Sequence, residues 1–199
     1  MRKAEQTKQM IIEKAAPIFN KKGYLGTSIS DLTKSTGLTK GAIYGNFKNK
    51  NDIALAAFKY NVNKVIADLK SAIDSTDDAV EKLLAIVKYY LKNSSDIYKK
   101  GGCPISNTAA DSDDTNIALN KKVKEVINLL RKTIILIVNE GIAKKEIIAS
   151  INPVSFAVVI LSLIQGGNLL SKASGDMDYL MDSMKQIETL IMAIKNNKD

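Results

Sequence analysis

The segment from Thr39 to Lys48 concentrates hydrogen-bonding side chains on a stretch with few residues suited to a core. Lys40 and Lys48 carry ammonium groups, and the Tyr44 hydroxyl can donate to a phosphate oxygen. Lys40 and the Asn46 amide are the groups best suited to reading base edges. This combination predicts a surface that contacts a polyanion.

Residues for other kinds of chemistry are scarce. The chain has no histidine and one cysteine, Cys103, so it lacks the commonest general base and any CxxC-type zinc site. Asp111, Asp113 and Asp114 lack the glycine and distant glutamate of a calcium loop, and their position favours helix capping. We predict no enzyme, no cofactor and no metal site; converging carboxylates in a cleft would argue for an enzyme.

The Thr39 segment lies within a predicted set of three short helices. Ser28 with Asp31 has the spacing of a capping box, Gly37 lies in the following turn, and Thr39 can cap a helix that ends near Phe47. These features predict a helix-turn-helix unit. Its predicted core consists of Ile18, Phe19, Ile29, Leu32, Leu38, Ile43 and Phe47.

The remaining chain follows the helical period, with no alternating run long enough for a sheet. The fold class predicted is all-α, an N-terminal helix-turn-helix head followed by a helical bundle, about nine helices in all. The helices are predicted over residues 4–22, 28–35, 39–47, 49–73, 78–93, 104–110, 115–140, 153–174 and 177–196, with a loop over 94–103.

Positive charge is concentrated at the N-terminal end. Residues 1–50 contain ten lysines and arginines against three acids, whereas the other 149 residues contain 19 basic and 18 acidic side chains. A basic head on a nearly neutral body favours a polyanionic partner for the head, although a solvated lysine surface would have the same composition. The predicted domains are therefore 1–50 and 51–199.

Several of these segments resemble the TetR family of bacterial transcription regulators. The resemblance rests on Ala15-Ala16-Pro17-Ile18-Phe19, Gly23-Tyr24, Thr27-Ser28-Ile29 and Thr39-Lys40-Gly41-Ala42-Ile43-Tyr44, with Phe47 and Lys50. It implies a homodimer that binds a double-stranded DNA operator through the head and a small-molecule effector through the body.

The resemblance assigns Thr39, Lys40, Gly41, Tyr44 and Lys50 to DNA, with Thr27 or Ser28 at the start of the second helix. Ala42, whose methyl group suits a thymine methyl, Asn46 and Lys48 complete the candidate set. The chain has Gly45-Asn46 where the family commonly has an aromatic residue and a histidine. The operator sequence therefore cannot be carried over from relatives.

The resemblance also implies an effector pocket in residues 51–199. Its candidate residues, which an ordinary core would equally explain, are Phe58, Tyr90, Cys103, Asn107, Ile127, Leu130 and Phe156. Cys103 precedes Pro104 at a predicted helix start near Lys99 and Lys100, a setting that lowers a thiol pKa. Redox or electrophile sensing through Cys103 is thus an alternative to plain packing.

The last two helices are predicted to form the dimer interface. The segment from Phe156 to Ile164 is apolar nearly all round, more than one chain's core requires, although both helices could simply complete that core. The candidate interface residues recur every three or four positions: Phe156, Ile160, Leu163, Gly167, Leu170, Leu180, Met184, Ile187 and Ile191.

Together these observations predict a cytoplasmic, ligand-responsive repressor that is released from a pseudo-palindromic operator when the effector binds. The sequence contains neither a long apolar run nor an apolar signal core, so it gives no indication of membrane insertion. A constitutive helical interaction protein, with a basic head that docks an acidic protein, is the alternative. It predicts a well-packed bundle with no cavity of ligand size.

Overall fold

A computed structural model describes residues 3–196, and within this range the regular structure is helical. The helices are α1 (Lys3–Gly26), α2 (Ile29–Thr36), α3 (Lys40–Tyr44), α4 (Lys50–Ile73), α5 (Ala79–Lys99), α6 (Pro104–Ser112), α7 (Ile117–Ala143), α8 (Pro153–Ser174) and α9 (Asp178–Ala193). One isolated bridge pairs Ile147 with Lys195. The predicted all-α fold is confirmed.

Two compact units make up the described chain. The first contains the residues up to Lys64 together with Lys100–Lys124, and the second contains Val65–Lys99 and the residues from Glu125 onward. The second of these two segments of the first unit contains α6, which is distant from the head in sequence.

The first unit has a small core under the helix-turn-helix. Leu32, Ile43 and Phe47 are buried, and the predicted Ile18, Phe19, Ile29 and Leu38 pack around them as half-buried side chains. Ile11, Ala15 and Ile53 complete this core. The capping box at Ser28 and Asp31 forms as predicted, and Gly37 ends α2 with a φ of 72°.

Asparagines fix α6 and the loop before it to α1 within the same unit. The Asn20 amide donates to the Lys100 and Gly102 carbonyls at 2.8 and 3.0 Å, and the Asn107 amide donates to the Gly101 carbonyl and to both oxygens of Asn20. The Asp111 carboxylate accepts from the Tyr24 N–H. Gly23, the predicted end of the first helix, has a φ of 72°, and a Cβ there would lie 2.5 Å from Asp111 Oδ1.

Two predicted boundaries are wrong. Residues 94–99 belong to α5, because Asn93 and Ser94 bond back to the helix carbonyls of Tyr89 and Leu91 and Ile97 packs on the core. In the other case α3 ends at Tyr44, where Gly45 caps it, and turn hydrogen bonds from Asn46 and Phe47 to the Ile43 carbonyl complete the segment.

The second unit is built around α8 and α9. Gly167 lets them cross closely, since a Cβ there would lie 2.8 Å from Ser183 Oγ and 3.1 Å from the Leu180 Cα. By length and composition α8 is apolar enough to span a membrane, with a mean hydropathy of 1.7. A core helix meets the same criterion, and Phe156, Ile160 and Ile164 are buried against α9 and other core helices.

Candidate nucleic-acid interface and ligand cavity

The α3 segment is anchored on its inner side and open on its outer side. Ile43 and Phe47 are 0% and 5% exposed, and the Thr39 hydroxyl accepts from the Ala42 N–H at 3.2 Å. The outward side chains are exposed or, for Tyr44 and Asn46, half-exposed; the set is Thr39, Lys40, Gly41, Ala42, Tyr44, Asn46 and Lys48. An exposed strip of donors beside two lysines can contact phosphates and base edges.

Gly41 occupies a position where the protein itself does not need glycine. It lies in the first turn of α3, and a Cβ added there would have Thr39 Oγ1, 4.0 Å away, as its nearest neighbour. Gly45, one turn on, has an ordinary helical φ of −69°. These two positions therefore have no side chain above the backbone, which allows another molecule to approach the backbone closely.

The Asn46 side-chain amide uses one of its hydrogen-bonding groups within the protein. Its amide nitrogen donates to the Ala42 carbonyl at 2.9 Å, within its own turn. The amide oxygen then remains as the atom that can accept from the exocyclic amino group of cytosine or adenine. The second N–H of the amide group also remains available, so the side chain offers one acceptor and one donor.

A charged cap stabilises the start of α2. The Ser28 hydroxyl donates to Asp31 at 2.8 Å and accepts from its N–H at 3.1 Å, while Lys22 pairs with the same carboxylate at 2.6 Å. The Lys22 hydrogen bond and the Ser28 N–H hold the pKa of Asp31 well below its usual range. Ser28 itself is exposed.

Two predicted DNA contacts are differently placed. Thr27 is fully buried and its hydroxyl donates to the Gly23 carbonyl at 2.7 Å, so of the predicted pair Thr27 or Ser28 only Ser28 exposes its side chain. The Lys50 ammonium lies 4.5 Å from the centre of the Tyr24 ring. Burial lowers the Lys50 pKa, and the nearby Asp111 charge opposes that shift. Lys50 is half-buried and engaged within the head.

The second unit contains an apolar cavity of about 270 Å³ among α4, α5, α7 and α8. Leu69, Ile86, Tyr90, Ile134 and Ile164 form buried walls. The rest of its lining consists of Ile66, Lys70, Ile73, Asp74, Leu129, Leu130, Thr133 and Leu161. Cavities of this kind and size accept small molecules.

The predicted pocket residues are scattered. Tyr90 and Leu130 line the 270 Å³ cavity, whereas Phe58 and Asn107 line a separate space of about 20 Å³ in the first unit, roughly the volume of one water molecule. The Cys103 side chain is buried in the first unit, and Phe156 belongs to the core of the second. Ile127, 38% exposed, lies outside both linings.

Most predicted interface residues are buried within one chain. These are Phe156, Ile160, Gly167, Leu180, Met184, Ile187 and Ile191, while Leu163 is half-buried. Burial within one chain leaves these residues little surface to contribute to a contact with a second chain. Leu170, which is 50% exposed, keeps its place as a candidate.

Other apolar side chains on the same two helices are exposed, and on α8 they define a second apolar face. Val158, Val159, Leu169, Tyr179 and Met192 are each between 45% and 47% exposed. Sequence periodicity alone did not separate this face from the buried one, since both are apolar. α8 has few of the charged and polar residues that mark a solvated helix face. This scarcity is the sequence feature that could have indicated an exposed apolar face.

The fold and the α3 surface define a helix-turn-helix protein with a helical C-terminal region. A family model described as "Bacterial regulatory proteins, tetR family" matches residues 11–57, and one described as "Tetracyclin repressor-like, C-terminal domain" matches residues 79–187. The chain belongs to the TetR family of transcriptional regulators. Members of this family bind DNA operators and are dimers.

Similar proteins agree with this membership over nearly the whole chain. A TetR-family regulator structure from Cytophaga hutchinsonii is 37% identical with a TM-score of 0.93, covering 100% of this chain and 99% of that one. One from Chloroflexus aurantiacus J-10-FL is 34% identical with a TM-score of 0.90, covering 98% of both. An HTH-type transcriptional regulator in the lacX 3′ region of Lactococcus lactis subsp. lactis is 26% identical over 92% of both chains.

Proposed function

We propose that this regulator is a repressor that binds a pseudo-palindromic operator with one α3 per half-site and leaves it when a small molecule enters the C-terminal bundle. The observation that carries the proposal is the α3 surface, in which Lys40, Tyr44 and Lys48 are accessible while Ile43 and Phe47 anchor the helix. The concentration of basic residues in positions 1–50 supports the same partner.

Within this proposal the α3 side chains have different roles. Lys40, Lys48 and the Tyr44 hydroxyl supply phosphate contacts that fix the position of the head, and Ser28 adds a contact at the start of α2. Asn46 reads a base edge through its amide oxygen, and the Ala42 methyl meets a thymine methyl. Lys50 stabilises the head through Tyr24 more than it contacts DNA.

The effector is proposed to bind the 270 Å³ cavity. This cavity supports a ligand-responsive regulator over the constitutive interaction protein, for which a filled bundle is expected. Burial of Cys103 counts against the redox alternative, because reactive thiols are accessible to reagents and solvent.

Salt dependence of DNA binding tests the head. If each head of a dimer neutralises about four phosphates, log K against log salt should have a slope of roughly −7. The measurement is fluorescence anisotropy with a duplex that the purified protein selects from a random library, over a range of KCl concentrations. A nearly flat dependence would contradict operator binding through the basic head.

A further inference from the structure

The polar side chains around the 270 Å³ cavity are few: Lys70, Asp74, Thr133 and Tyr90. Lys70 on α4 and Asp74, the residue after its end, form an ion pair, and their side chains are 71% and 55% exposed. The Thr133 hydroxyl donates to the Leu129 carbonyl at 3.0 Å. The remaining lining consists of nine aliphatic residues and Tyr90.

The inner walls of the cavity are apolar, whereas its rim carries charged side chains. Leu69, Ile86, Ile134 and Ile164, which form the walls, are between 2% and 6% exposed, and no charged residue lies among them. The charged groups of the lining are Lys70 and Asp74, which neutralise each other in solvent. An ionised ligand placed in the depth would lose its hydration without meeting an opposite charge.

Buried polar atoms without a partner would mark a place for a polar ligand group, and the lining has none among the described residues. The two such side-chain atoms found in the described chain are Ser112 Oγ and Arg131 Nε, and neither residue lines the cavity. The hydroxyls of Tyr90 and Thr133 are the uncharged polar side-chain groups that the described lining offers to a ligand.

Volume limits the size of the ligand. An apolar cavity of about 150 Å³ binds benzene, and pockets for drug-sized molecules begin at about 300 Å³. At about 270 Å³, this cavity suits a molecule of two fused rings or an aliphatic molecule of comparable bulk.

We infer that the effector is an uncharged, predominantly apolar small molecule of about two-ring size, bound by apolar contact without a charged anchor. This inference rests on the proposed function, because it takes the cavity as the effector site. It assigns the Lys70–Asp74 pair to the rim and gives it no direct role in charge recognition.

The test uses three probes that share the naphthalene ring system in isothermal titration calorimetry with the full chain. Naphthalene should bind, whereas 2-naphthoate and 2-naphthylmethylammonium should bind at least tenfold more weakly. Failure of naphthalene to bind, or a charged probe that binds as tightly, overturns the inference.

A pair of variants on α7 locates the binding. Leu129 and Leu136 are exposed leucines, 48% and 60%, but only Leu129 lines the cavity. Leu129→Trp, whose indole occupies part of the cavity, should weaken naphthalene binding at least tenfold. Leu136→Trp should leave it within twofold. Equal effects from both variants would place the probe elsewhere and overturn the assignment.

Operator binding is measured in the same samples, so the two proposals fail separately. Loss of the salt-dependent DNA binding described above would refute the head's function whatever the probes do. Intact DNA binding with no preference for the uncharged probe would refute only the ligand class. Naphthalene that binds and reduces operator affinity supports both.

Discussion

At the residue scale, Gly41 connects the stability of the head with its proposed contact to DNA. Among the described residues no atom beyond its own helix backbone and chain neighbours lies closer than 4.0 Å to the position of its missing Cβ, so alanine fits there and suits a helix better than glycine. Gly41→Ala should stabilise the fold by up to about 1 kcal/mol. It should also weaken operator binding about tenfold, equal to about 1.4 kcal/mol, because the added methyl group separates α3 from DNA.

Thermal unfolding and operator anisotropy on the Gly41→Ala variant check both effects. The opposite signs are the diagnostic result, since a damaged fold would lower both quantities together. A more stable variant with unchanged affinity would mean that Gly41 does not approach DNA.

Several residue assignments could be made from sequence because they depend on local chemistry. The Ser28–Asp31 capping box and the Thr39 cap need only spacing along the chain. Thr27 could not be placed in the same way. Its burial depends on the kink at Gly23, which turns its hydroxyl toward a carbonyl in the preceding helix.

At the element scale, the connection of α6 to α1 depends on two asparagines. Asn107→Ala removes three donated hydrogen bonds and leaves Asn20, 8% exposed, short of partners. The free energy of unfolding should fall by about 1–3 kcal/mol. Asn93→Ala is the control, because the Asn93 amide donates to the Tyr89 carbonyl within α5. Chemical denaturation should show a clearly larger loss for Asn107→Ala; equal losses would contradict this structural role.

Adjacent glycines on α8 separate packing within one chain from the exposed surface. A Cβ on Gly167 would collide with Ser183 and approach the Leu180 backbone, whereas one on Gly166 meets nothing within 4 Å. Gly167→Ala should therefore destabilise the fold by about 1–3 kcal/mol through overpacking. Gly166→Ala should be neutral or slightly stabilising. Thermal unfolding compares the two, and equal stabilities would refute the close crossing of α8 and α9.

The positions of the helices were easier to predict from the sequence than the face that each helix buries. Caps and glycines placed most helices within a few residues, but residues 94–99 looked like a loop. The hydrogen bond from the Ser94 hydroxyl to the Leu91 carbonyl is not visible in the residue types. On α8 both faces are apolar, so period alone could not decide which one a single chain buries.

At the scale of the whole molecule, the separation of charge fits a division of labour. The basic head suits a polyanion, whereas the bundle contains a largely apolar cavity and exposed apolar side chains. Dimerisation would raise the affinity for DNA, because two linked heads bind two half-sites far more tightly than one head binds one.

This linkage gives a test of the proposed dimer surface. Leu170 on α8 is 50% exposed, and Leu170→Lys places a charge on the face proposed to contact a second chain. We expect the variant to sediment as a monomer in analytical ultracentrifugation. The slope of log K for DNA against log salt should fall to roughly −4, about half the dimer value, because only one head remains bound. Leu136→Lys, on a 60% exposed leucine of α7, is the matched control and should remain dimeric with the full slope. A dimeric Leu170→Lys variant with an unchanged slope would place the interface away from this part of α8.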